Sequence, residues 1–173
     1  MNTLNAKSIA IAGGFIGCIL AANYVTTRFG MVPVGFGLMA TAGTYLAGIT
    51  FILRDALQDA AGKVSTLAVI GLGAALSFLI SDPFIALASA AAFGLAEVAD
   101  LAVYSPLRKR GYIRAAIASN IVGALVDTVV FLTIAGFPIA AALPGQVVGK
   151  LLVTAAVVVT VAAVRAARKP VAA

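Results

Sequence analysis

Apolar residues run along this chain in blocks of about twenty, separated by short polar breaks. The blocks are Ser8–Thr27, Met31–Leu53, Val64–Ile80, Pro83–Tyr104, Tyr112–Phe137 and Pro144–Arg165. A helix rises about 1.5 Å per residue, so about 20 residues cross a hydrocarbon layer about 30 Å thick. Each block therefore predicts a transmembrane helix, and no segment reads as a plausible strand. The first block follows Lys7 and opens with an apolar stretch ending "ILAAN", which is reminiscent of a signal peptide. Five further blocks follow it, so a retained first helix is the better reading.

Composition agrees. Apolar residues make up 62% of the 173, charged residues only 10%, and mean hydropathy is +1.12. A soluble domain keeps about a quarter of its residues charged, so lipid must act as solvent for this surface. The expected fold is all-α: a polytopic membrane protein with a bundle of six transmembrane helices, forming a single domain over residues 1–173.

Charge then orients the bundle. With six spans, one side collects Lys7, Arg54, Lys63, Arg108, Lys109, Arg110, Arg114, Arg165, Arg168 and Lys169. The other side holds Arg28 alone, while Lys150 falls inside the last span. Basic residues accumulate on cytoplasmic loops, so both termini are expected in the cytoplasm of a multi-pass protein of the cell (inner) membrane. The same rule accounts for the net charge of +6 and for "RKRGYIR" without nucleic acid as a partner. The one cysteine, Cys18, lies within the first span, where it offers no disulfide and reads as a packing residue.

Absences narrow the chemistry. The chain has no histidine, which removes Ser-His and Cys-His catalysis and imidazole metal sites. It also has no Gly-rich ATP-binding loop of the G-x-x-x-x-G-K-[ST] form. The expectation is a protein that is not an enzyme and has no catalytic residue, metal or cofactor. Lipid chemistry by carboxylates alone is the last-placed alternative.

The informative residues are the polar ones inside the spans. A charge at the centre of a spanning helix costs about 2.5–3.5 kcal/mol on insertion scales, yet Glu97 and Asp100 stand three apart in the fourth span. Helical rise puts Glu97 roughly 10 Å from the inner end, with Asn120 at about the same level in the fifth span. Asp127 lies one to two turns deeper. Lys150 enters from the outer side about 9 Å down the sixth span. Its flexible stem lets it pair with Asp127 if the last two spans are neighbours. Asn23 and Asp55 complete the set, with Asn120 and Gln146 in a second tier. Tyr24, Phe51, Tyr104 and Phe131 are candidate aromatic walls. Gly13-xxx-Gly17 and Gly145-xxx-Gly149 predict close helix approach, within one chain or between copies in a homo-oligomer.

Five stretches carry a family resemblance: "ANYV", "LRDALQDAAG", "AEVADLAVYSPLR", "SNIVGALVDTVVF" and "QVVGKLL". Their most specific part is the combination of E-x-x-D, S-N-x(6)-D-T and a late lysine. In this order the chain resembles, over nearly its whole length, the queuosine precursor transporters, also known as vitamin-uptake-type transporters. The resemblance implies import of a small nucleobase-like substrate, 7-cyano-7-deazaguanine or a related 7-deazaguanine base, that is destined for queuosine in tRNA. It also implies a substrate site at Asn23, Asp55, Glu97, Asp100, Asn120, Asp127 and Lys150. A guanine-like edge presents two N–H groups side by side, which one carboxylate accepts together, and Glu97 is expected to read that edge. A buried carboxylate would allow proton coupling; facilitated uptake with metabolic trapping is the alternative. Two rival readings are a substrate-binding membrane subunit driven by a separate ATPase and a small channel.

Overall fold

The computed structural model describes residues 5–167; Arg168 and Lys169, counted above with the inner charges, lie outside them. The elements are α1 (Ala6–Phe29), β1 (Met31–Gly35), β2 (Leu38–Thr41), α2 (Thr44–Ala61), α3 (Lys63–Ile80) and α4 (Pro83–Leu107). A single 3-10 turn at Arg108–Arg110 then leads to α5 (Tyr112–Ile134) and α6 (Ile139–Ala167). The protein is an all-α polytopic membrane protein. Among the described residues, Ala6–Phe29, Lys63–Ile80, Pro83–Arg110 and Ile139–Val157 are long and apolar enough to cross a membrane. Helix α5 contributes a shorter apolar stretch, Ala118–Ile134, and α2 carries Arg54, Asp55 and Asp59.

Local chemistry sets the helix ends. Asn5 caps α1 by accepting from the Ser8 N–H at 2.9 Å. Asp82 caps α4 by accepting from the Phe84 and Ile85 N–H groups, and Pro83 fills the first helical position. A proline there gives up a donor that a helix start leaves unpaired in any case. This makes the two-residue break after α3 a sharp turn.

The largest departure from expectation lies in the second apolar block. Its first eleven residues form an antiparallel hairpin, not helix, with Met31 opposite Thr41, Val32 opposite Ala40 and Pro33 opposite Met39. The turn passes through Gly35, Phe36 and Gly37, all with positive φ. Glycine adopts that geometry freely, which is why two of the three are glycine. The segment is apolar throughout, and periodicity cannot separate helix from strand in such a run. Bare strand edges are not tolerated in hydrocarbon, and here α6 packs along β2 while β1 is more exposed. Met39 packs against Gly145 of α6, the Gln146 amide donates to Thr41 Oγ1 at 2.9 Å, and Tyr45 donates to the Val34 carbonyl at 2.8 Å.

The hairpin delays the start of α2 to Thr44, and the helix then runs on to Ala61. Arg54 and Asp55, expected at the end of a span, therefore sit about 15 Å along a helix. The glycine pairs also divide. A side chain at Gly145 or Gly149 would meet Met39 or Thr44, whereas Gly13 and Gly17 face open space. Only the second pair mediates a close approach among the described residues.

Helix α4 packs along α5, α1 joins α2 and α3, and α6 lies against β2, α2 and α5. The apolar centre is Phe15, Ile19 and Phe93, with Phe51, Leu53, Val69 and Ile70 packed around it. Phe93 meets Phe15 edge-on at 6.0 Å and Phe51 at 5.8 Å between ring centroids.

Candidate functional site

Two partly open cavities stand out between the helices among the described residues. The larger, about 310 Å³, sits between α2, α5 and α6. Its walls are mostly apolar (Ile52, Ile121, Leu125, Val147, Leu151), with Arg54, Asp55, Asn120, Thr128, Lys150 and Thr154 as the polar groups. The smaller, about 40 Å³, lies toward the hairpin. Around it stand Asn23, Thr26, Thr41, Thr44, Thr50, Ser89, Asp127, Gln146 and Lys150, with Phe51, Phe93 and Phe131.

The pairing expected from helix depth is present. Lys150 Nζ donates to Asp127 Oδ2 at 2.7 Å and to Thr128 Oγ1 at 2.8 Å. Both charged side chains are over nine-tenths buried. An isolated charge there would be costly, so each is the reason the other is tolerated. The lysine also lies over the Phe51 ring, 5.7 Å from its centroid.

A second charged cluster forms where α2, α3 and α4 meet. Arg54 is buried, and its Nε and Nη2 donate to Asp55 Oδ1 at 3.0 and 2.8 Å. Its Nη1 reaches Glu97 Oε2 at 3.4 Å, and Lys63 Nζ stands 3.5 Å from Glu97 Oε1. The guanidinium also lies over Phe51, 5.4 Å from the ring centroid. Across both clusters, three cations face three carboxylates, so the site carries no net charge.

The expected site residues thus separate into groups. Asp55, Asn120 and Lys150 line the large cavity; Asn23, Asp127 and Lys150 line the small one. Asn23 also donates to Ser77 Oγ at 3.0 Å. Glu97, expected to read the edge of a base, lines neither cavity and is instead held between Arg54 and Lys63. Asp100 also lines neither cavity; it packs near Gly123. Of the expected aromatic walls, Phe51 and Phe131 line a cavity, while Tyr24 and Tyr104 do not. Sequence reasoning missed Arg54. Reading it as a loop-flanking charge followed from the misplaced start of α2, and "RD" inside the "LRDALQDAAG" stretch was the available signal. It also missed the threonines around the small cavity, because threonine is ordinary in membrane helices.

Among the described residues, no buried side-chain nitrogen or oxygen lacks a hydrogen-bond partner. The polar interior is therefore internally paired before any guest arrives.

Residues 78–166, just over half of the chain, match the family model described as "Putative vitamin uptake transporter". The match takes in Glu97, Asp100, Asn120, Asp127 and Lys150, while Asn23 and Asp55 lie before it. No curated protein and no solved structure matches the chain.

Proposed function

This chain belongs to the vitamin uptake transporter family, a family of transporters and not of enzymes, and from that premise we propose that its cargo is a 7-deazaguanine base, chiefly 7-cyano-7-deazaguanine. The observation that carries the reading is the large cavity. At about 310 Å³ it is at the small end of ligand-sized pockets, with apolar walls and a few convergent polar groups. Each cation that lines it is already paired with a carboxylate, Arg54 with Asp55 and Glu97 and Lys150 with Asp127, which suits a neutral, flat, hydrogen-bonding molecule better than an ionic one.

Each polar group has a role in this reading. Asp55 engages Arg54 through Oδ1 only, so its second oxygen accepts from the amino edge of the base. Lys150 spends two of its three ammonium donors on Asp127 and Thr128, and the third serves the carbonyl. Phe51 supplies a flat apolar face, and Asn120 a further donor and acceptor. Glu97 acts indirectly by fixing Arg54. In the proposed orientation both termini lie in the cytoplasm and the large cavity opens inward, because the basic residues gather at that end.

The test uses bacteria that can neither make nor import 7-cyano-7-deazaguanine, with queuosine in tRNA as readout. Expression of this protein restores queuosine, and Asp55→Asn or Lys150→Met abolishes it while the protein remains in the membrane. No restoration by membrane-inserted wild-type protein would overturn the proposed cargo.

A further inference from the structure

The two cavities share one wall. Among the described residues, only Phe51 and Lys150 appear in the lining of both. The cavities lie toward opposite ends of the bundle. The small one is bounded by the start of α2 at Thr44 and by Gln146 of α6; the large one reaches Asp55 and Thr154, about 16 Å and 12 Å further along those helices. The small chamber has room for a few waters but not for a bicyclic ring. Nine of its lining side chains are polar or charged, although the surface left open between them is mostly apolar.

We propose that Phe51 is the gate between two chambers of one transport route, and that the small chamber is its narrow end. The inference rests on the transport reading above. The ring suits the task because it is held without being locked. Two cations lie within cation–π reach, at 5.4 Å for Arg54 and 5.7 Å for Lys150, and Phe93 braces it at 5.8 Å. Such contacts are weak individually, so a guest that stacks on the ring or draws Lys150 toward itself competes with them directly. Moving the ring off Lys150 joins the chambers into one continuous path.

The experiment needs no substrate, so it stands or falls separately from the choice of cargo. Cys18 is the chain's one cysteine, and Cys18→Ser gives a thiol-free background. Ser89→Cys then reports the small chamber and Thr154→Cys the large cavity. Ala86→Cys, fully buried and lining neither, reports general loosening. In membrane vesicles a membrane-impermeant maleimide is applied from the side on which Thr154→Cys reacts. With Phe51 intact, Ser89→Cys reacts at least about tenfold more slowly, as expected when the open state is a minor population. Phe51→Ala removes most of that difference and leaves Ala86→Cys unchanged. Phe51→Leu, which keeps the apolar bulk, carries the test if the alanine variant does not reach the membrane, and it accelerates Ser89→Cys by a smaller factor. A Ser89→Cys rate that is unchanged, or that rises only in step with Ala86→Cys, overturns the gate.

Discussion

Neutralising Asp127 should be among the most damaging single changes in the bundle, and neutralising its partner at the same time should repair most of the damage to folding. At the observed 2.7 Å, two unit charges attract by about 6 kcal/mol with an effective dielectric constant of about 20. Removing each ion from water costs several kcal/mol, which cancels most of that attraction. The intact pair thus contributes little relative to an apolar pair of the same shape. Asp127→Asn is different: it leaves the Lys150 ammonium buried with Thr128 and a neutral amide, at a cost of about 3–5 kcal/mol. Lys150→Met strands the carboxylate at a similar cost. Asp127→Asn combined with Lys150→Met strands no charge and leaves only a neutral amide short of a partner, so it should return to within about 2 kcal/mol of wild type. The assay is a double-mutant cycle on equilibrium unfolding in mixed detergent micelles, with uptake measured in parallel. Uptake should stay lost in all three variants, because the ammonium donor is absent or displaced in each. Single variants within about 1 kcal/mol of wild type, or a double variant as unstable as the sum of the singles, would refute a buried, mutually dependent pair.

Two further predictions concern packing and the second cluster. Gly145→Ala should destabilise the protein and loosen the hairpin, because the new methyl would collide with the Met39 carbonyl, whereas Gly13→Ala meets no atom within 4 Å and should be neutral or stabilise by up to about 1 kcal/mol through helix propensity; thermal unfolding of the two variants in detergent decides. Arg54→Met should cost more stability than Asp55→Asn, since Arg54 is buried and serves two carboxylates while the Asp55 side chain is 59% exposed. The same unfolding assay, with the aspartate variant falling within about 1 kcal/mol of wild type, checks that order.

The charged interior shows how far linear spacing reaches. Asp127 and Lys150 were paired correctly from their depths, because two adjacent antiparallel helices connected by a short turn leave few other partners at that level. Glu97 was not placed by the same logic. Its partners, Arg54 and Lys63, come from α2 and α3, and their heights depend on where those helices begin. A hairpin of eleven residues moved that beginning by thirteen positions, and with it the surroundings of Arg54 and Asp55 in "LRDALQDAAG".

What the sequence determined alone was the solvent and the count of helices. Transfer of apolar side chains to lipid is a sum over residues, nearly independent of their neighbours, so block length and composition suffice to read it. The tertiary structure decided the rest: hairpin or helix at Met31–Thr41, close approach at Gly145 but not at Gly13, and the wall of Phe51 and Lys150 shared by two chambers. Each of these depends on which backbone or side chain lies opposite. A strand edge is tolerable only where another element covers it, a glycine matters only where something presses against it, and a cavity exists only between helices from distant parts of the chain. Hydropathy carries none of that information, because it records what each residue is and not what it faces.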